Sequence, residues 1–150
     1  MTHAVPRWVS ACAVTGAVLL GCGGSLEGNS RGKGRTEGFR LGQAFKLRAG
    51  QEVALEGEGL RIEFASVADD SRCPAAVTCV WAGNAAVLLE MSKGGGVTSL
   101  RLNTNRSPQF PGEGKYLQYK IVLIELSPYP RADKKIEPGE YVATLLVSRE

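Results

Sequence analysis

Tyr119-Lys120-Ile121-Val122-Leu123-Ile124-Glu125-Leu126 is the segment on which the fold turns. It is rich in β-branched and aromatic residues, which favour extended backbone. Side chains of a strand alternate between two faces, and here both faces are apolar, as a central strand requires. Tyr141 to Val147 (YVATLLV) has the same character. Leu60, Ile62 and Phe64 alternate with Arg61, Glu63 and Ala65, the period of a half-buried strand. Phe45-Lys46-Leu47 and Val53-Ala54-Leu55 are shorter candidates on either side of Ala49-Gly50-Gln51. Ala85 to Met91 (AAVLLEM) and Val97 to Leu102 flank Lys93-Gly94-Gly95-Gly96, where glycine reaches positive φ at little cost, so the two form a hairpin. No segment after Phe39 keeps an i, i+3, i+4, i+7 apolar stripe through three turns. About seven strands in residues 39–150 predict an all-β, antiparallel two-sheet sandwich rather than a barrel around a ligand cavity.

Ile136-Glu137-Pro138-Gly139-Glu140-Tyr141 resembles the segment before a late strand in fibronectin type III-like sandwiches. The resemblance implies an immunoglobulin/fibronectin-III-like architecture in which a tyrosine hydroxyl ties its strand to the preceding loop. The other reading of Tyr141 is a core tyrosine after a Pro-Gly turn.

The chain has 150 residues, 18 Lys+Arg against 15 Asp+Glu, four cysteines and one histidine, His3. That length holds one domain, and a net charge of +3 without a clustered basic face gives no case for nucleic acid. Residues 1–7 carry Arg7 and no acid, and Trp8 to Leu20 is apolar or small, the layout of a secretory signal. About 13 residues at ~1.5 Å each make roughly 20 Å of helix, short of the ~30 Å hydrocarbon core of a bilayer. Leu19-Leu20-Gly21-Cys22 then resembles the lipobox of bacterial lipoproteins. The resemblance implies cleavage before Cys22 and acylation of that residue, with residues 1–21 discarded and the membrane as a partner through the acyl chains. Several chains on one residue hold firmly, because each buried methylene contributes ~0.8 kcal/mol. Gly23 follows Cys22 with no adjacent acid, which by the same resemblance favours the outer membrane. Residues 22–38, rich in glycine and charge, read as a flexible linker. Loss of Arg7 takes 18 basic residues to 17, and His3 and Cys12 leave with the signal.

Asp70-Ser71-Arg72-Cys73-Pro74-Ala75-Ala76-Val77-Thr78-Cys79-Val80-Trp81-Ala82-Gly83-Asn84-Ala85 is the distinctive stretch. With Cys12 removed and Cys22 acylated, Cys73 and Cys79 are the remaining thiols, and an oxidising compartment pairs them. Closing so short a loop contributes about 2.4 kcal/mol in the chain-entropy model. Trp81 stands at the mouth of a buried strand, placed to cover that bridge. Asp70 reads as a turn former capping backbone amides, and Arg72 as pairing with it or with another carboxylate. The D-S-R-C-P-x4-C-x-W-x-G-x-A pattern of Asp70 to Ala85 resembles one found in small uncharacterised bacterial lipoproteins and envelope proteins. That resemblance implies a secreted β-domain with one short disulfide and carries no activity.

Other chemistries fit less well. A C-x5-C spacing lacks the C-x-x-C geometry that lowers a thiol pKa at a helix start. Two cysteines without histidine cannot supply the four ligands of structural zinc, and Met91 is the one methionine after the signal available to copper(I). Asp69, Asp70 and Ser71 lack the calcium-loop pattern. No metal and no cofactor is expected. Without histidine, Ser-His-Asp and Cys-His mechanisms have no base. The expectation is a non-enzyme, with a binding or structural module first and an envelope protein as its partner. Loops 103–115 and 127–139 are long, and they carry Phe110 and Tyr129, which either project for recognition or fold back onto the sheets. The alternative is an inhibitor of extracytoplasmic proteases that uses such loops.

Overall fold

The computed structural model describes residues 38–150. The signal segment, Cys22 and nearly all of the linker lie outside the described residues. Eight strands follow in order: β1 (Ala44–Arg48), β2 (Glu52–Ala54), β3 (Arg61–Asp70), β4 (Ala85–Lys93), β5 (Gly96–Asn103), β6 (Glu113–Tyr116), β7 (Tyr119–Ser127) and β8 (Val142–Arg149). A single 3-10 turn, Pro138–Glu140, precedes β8.

The strands form two antiparallel four-stranded sheets, ordered β1-β8-β7-β6 and β2-β3-β4-β5. Alternation on β4 turns Ala85, Val87, Leu89 and Met91 inward. From the facing sheet β7 contributes Tyr119, Ile121, Leu123 and Leu126, and β8 contributes Ala143, Leu145 and Val147. The step from Leu123 to Leu126 crosses a register shift at Ile124, a bulge that keeps both leucines inside. Phe64, in full contact with the core, and two register shifts in β3 do the same for the opposite sheet. The Gly94-Gly95 turn, with φ of 65° and 91°, closes the β4–β5 hairpin between Lys93 and Gly96.

The all-β sandwich is present, with two differences from the sequence reading. The first is an eighth strand, β6, whose sequence EGKY has no apolar run. Its Gly114 lies so close to Leu100 that a Cβ there would come within 2.5 Å of Leu100 Cδ1. Packing against β5 specifies this strand, not its own hydrophobic pattern. The second is connectivity. Immunoglobulin-like sandwiches interleave non-sequential strands, whereas here one sheet is a simple meander and the other is a meander joined at its edge by β1. Followed around both sheets, the order is that of an up-and-down barrel opened along two seams, between β1 and β2 and between β5 and β6.

This order sorts the connections by end. The β4–β5 and β6–β7 turns are two residues each, and they share one end with the β2–β3 connection. The three long connections, 71–84, 104–112 and 128–141, all emerge at the other end.

Candidate functional site

The loop end is built on a buried ion pair. Arg72 Nε donates to Asp70 Oδ1 at 2.8 Å and its Nη2 to Oδ2 at 2.6 Å, the two-point fork that guanidinium and carboxylate geometry favours. The side chains are 6% and 11% exposed. Arg72 Nη1 also donates to Leu126 O at 2.6 Å, and Nη2 to Pro128 O at 3.0 Å, both across the sandwich on the β7 side. Tyr141 donates its hydroxyl to Asp70 Oδ2 at 3.0 Å. The pair therefore ties β3 to the ends of β7 and β8, which belong to the opposite sheet. Burial pushes the Asp70 carboxyl up, but the hydrogen bonds and charge of Arg72, with help from Tyr141, outweigh it and hold the group below its ordinary 3.8. Burial and the adjacent carboxylate raise the Tyr141 phenol above 10.0.

The Asp70–Arg72 pairing agrees with the sequence reading, including an Arg72 amide bonded to Asp70 Oδ1 at 3.2 Å. The Tyr141 expectation is corrected. Its hydroxyl reaches a carboxylate 71 residues earlier instead of the loop before its own strand, and the other reading holds: Tyr141 is a buried core residue that follows the Pro138-Gly139 turn.

Two further polar residues, Asn84 and Asn103, are buried at the same end. Asn84 Nδ2 donates to Asn103 Oδ1 at 2.8 Å, and Asn84 Oδ1 accepts from the Asn105 amide at 3.1 Å. Asn103 Nδ2 donates to Pro111 O at 3.2 Å. Arg106 Nη2 donates to Leu123 O and Ile124 O, capping the carbonyls at the β7 bulge. Each long loop is thus fixed at its base by side chains bonded to backbone, so little ordering is left for a contact to supply.

Cys73 and Cys79 form a disulfide. Backbone bonds brace the loop they close: Cys73 N–H to Ala82 O at 3.2 Å, Ser71 N–H to Asn84 O at 2.7 Å, and Ala75 N–H to Pro130 O at 2.9 Å. Gly83 permits this stem. Its φ is +69°, and a Cβ would stand 1.9 Å from Ser71 O. The role expected for Trp81 is corrected: the residue is 77% exposed and does not bury against the bridge. Cys79 and Val80 are exposed as well, so the bridge lies beyond the edge of the core, where no apolar layer exists for an indole to join.

Phe110 and Tyr129 both project, at 41% and 56% exposure. One face of Tyr129 lies over the Arg72 guanidinium, 5.5 Å from its centroid. A cavity of about 170 Å³ opens beside them, with Arg72, Arg106, Leu123, Leu126 and Tyr129 among its walls. The residues that sequence reasoning missed are Asn84, Asn103, Arg106 and Val80. Asparagines at strand ends and an arginine in a Pro/Gly loop are ordinary surface residues by composition, and only the fold turns three of them against backbone.

Among the described residues, eight large hydrophobic side chains are exposed. Six of them, Val77, Val80, Trp81, Phe110, Ile124 and Tyr129, stand at the loop end, while Val97 and Leu117 stand at the other. The fold and this end together define a β-sandwich that presents apolar and aromatic side chains on braced loops. Comparison with protein-family models, with curated proteins and with solved structures finds no match.

Proposed function

We propose that the chain is a lipid-anchored bacterial envelope lipoprotein whose β-sandwich is a non-catalytic binding module, with the loop end as its contact surface. The observation that carries the second half is the gathering of six exposed apolar side chains at one end, Ile124 at the β7 bulge and five on loops held from beneath by buried polar bonds. Exposed apolar clusters of this kind mark interaction surfaces, and braced aromatic anchors are the usual hot spots. The anchor is supported by the sequence, through the signal-like segment and Leu19-Leu20-Gly21-Cys22. The lack of an acid after Cys22 supports the outer membrane. Among the described residues no helix is long and apolar enough to cross a membrane. The lack of a histidine after the signal supports a module that holds rather than catalyses.

The test places a photoreactive benzophenone side chain at Val80, Trp81 or Phe110, and at Val97 or Leu117 as controls, in the intact envelope. Benzophenone inserts into C–H bonds of protein and lipid alike. Adducts from the first three positions and none from the controls support the reading. Equal labelling, or none at the loop end, refutes it. A protease inhibitor is the second reading, favoured by the exposed turn 73–79 pinned at Ala75. It requires that the folded domain slow a protease without being cut between Cys73 and Cys79.

A further inference from the structure

The two most exposed large apolar side chains of the described residues, Val80 and Trp81, lie in a stretch without charge. From Cys73 to Gly83 the sequence CPAAVTCVWAG contains no acidic or basic residue, although charged side chains ordinarily dominate exposed loops. Val80 is 91% exposed and Trp81 77%. Backbone bonds brace the loop before its tip, the amides of Cys73, Ala75 and Val77 donating to Ala82 O, Pro130 O and Pro74 O. The disulfide and the Asp70–Arg72 tie hold the loop in one shape.

The surroundings fit a lipid interface. Trp and Tyr favour the level of the headgroups, where one end of the ring is dry and the other wet, and Trp81 and Tyr129 stand at this end. Of the cations on the long loops, Arg72 is held by Asp70, Arg131 by Asp133 and Lys134 by Glu140. Arg106 forms no ion pair with a described residue but spends Nη2 on Leu123 O and Ile124 O. Lys135 forms no ion pair with a described residue and is left for phosphate. The nearby acids of the third loop are occupied: Asp133 and Glu140 by those cations, and Glu137 by the capping box of the 3-10 turn.

We propose that this end docks on a phospholipid surface, with Val80 and Trp81 entering the interface and Lys135 meeting lipid phosphate. The proposal rests on the reading of the loop end as the contact surface and names its occupant. It is compatible with an anchor at Cys22. Gly38 lies at the opposite end, where Phe39 bonds to Ala54 and Gly42 to Val147. A linker of 17 residues extends at most about 55–60 Å, while a ten-residue strand such as β3 is roughly 33 Å long. An acylated chain can therefore turn its far end onto the same bilayer.

The whole core lies between Phe39 and Val147, so residues 38–150 serve as the test protein, and Trp81 is their single tryptophan. The probe is vesicles of phosphatidylcholine mixed with phosphatidylglycerol. The expected results are cosedimentation, a blue shift of Trp81 emission, and quenching by acyl-chain-brominated lipid. V80D weakens partition by about tenfold or more, since a buried valine contributes that much. K135Q weakens it about fivefold, the effect of one interfacial cation. V97D, at the opposite end, leaves it unchanged. Unaltered melting of V80D shows that the loss is not one of folding. Absence of sedimentation and of any emission shift overturns the proposal, as does binding that V80D leaves intact. If vesicles fail while Val80 and Trp81 crosslink to protein in the envelope, the lipid occupant is wrong and the loop-end reading stands.

Discussion

Asp70→Asn is the most informative single change, because it keeps the shape of the side chain and removes only its charge. Arg72 would then be a buried cation, 6% exposed at its side chain, facing an amide. Leaving one member of a buried pair uncompensated costs about 3–5 kcal/mol. The low end applies here, because Arg72 keeps Leu126 O and Pro128 O as acceptors. A loss of about 3 kcal/mol is a large fraction of the ~5–15 kcal/mol that holds a typical domain together. In a domain of this size it lowers the melting temperature on the order of 10 °C. The pH dependence sharpens the test. Asp70 has a folded-state pKa below its ordinary 3.8, so its contribution is fully present above the unfolded value and is lost as pH falls through the folded one. The stability gap between wild type and D70N is therefore widest near neutral pH and narrows in strong acid, where wild type also carries a neutral Asp70. Other carboxylates titrate in both proteins and cancel from the difference. Urea unfolding followed by far-ultraviolet circular dichroism measures the gap at each pH. A gap below about 1 kcal/mol at neutral pH, or one that stays constant into acid, would show that the pair does not tie the sheets.

Four further outcomes follow from single contacts. Gly83→Ala, with Ser71 O 1.9 Å from the new Cβ, destabilises by well over the ~1–2 kcal/mol that left-handed backbone alone costs; Gly94→Ala, at φ +65° in open space, stays within that range when both are compared by thermal melting. Replacing Cys73 and Cys79 with alanine lowers stability by up to about 2.4 kcal/mol, and denatured wild type without reductant shows no titratable thiol in this loop. Trp81→Ala changes unfolding free energy by no more than about 0.5 kcal/mol, as an exposed side chain should; a larger loss would mean that the indole shields the bridge after all. At the other end, the Tyr119 hydroxyl is the main cause holding Glu58 below its ordinary 4.5, after which burial opposes and Arg149 and Lys93 assist, so the Glu58 carboxyl titrates higher by NMR in Tyr119→Phe.

Sequence pattern reveals this fold where burial is one-sided or complete, and fails where it is set by a neighbour. Ile62 and Phe64 are fully buried while Arg61 is exposed, as alternation predicts; Tyr119 to Leu126, apolar on both faces, is an interior strand but buries one face against the core and leaves Ile124 exposed. β6 escapes notice because its residues carry no apolar signal and its place depends on Leu100 across the seam. The strand order escapes for a similar reason: pairing partners are chosen by long-range register, and a local tyrosine motif holds no information about them. At the site, Asp70 and Arg72 are legible because they are two residues apart, whereas their bonds to Leu126, Pro128 and Tyr141 join segments more than 50 residues away.

The two ends of the sandwich use the same device with different results. At the tight-turn end, Glu58 from one sheet meets Tyr119 and Arg149 from the other, with Lys93 donating to the Tyr119 hydroxyl at 2.6 Å. At the loop end, Asp70 and Arg72 from one sheet meet Leu126, Pro128 and Tyr141 from the other. A barrel opened along two seams lacks continuous hydrogen bonding around its circumference, so its sheets are held by apolar packing, which is non-directional, and by whatever polar ties cross the gap. Directional ties at both ends fix the sheets against sliding. The tight-turn end adds nothing beyond its turns. The loop end places its tie at the base of connections of 14, nine and 14 residues, and so holds rigid the segments that expose Val80, Trp81, Phe110 and Tyr129. The same buried charge that stabilises the fold thereby prepares its contact surface, and D70N should weaken docking of the loop end even at temperatures where the domain remains folded.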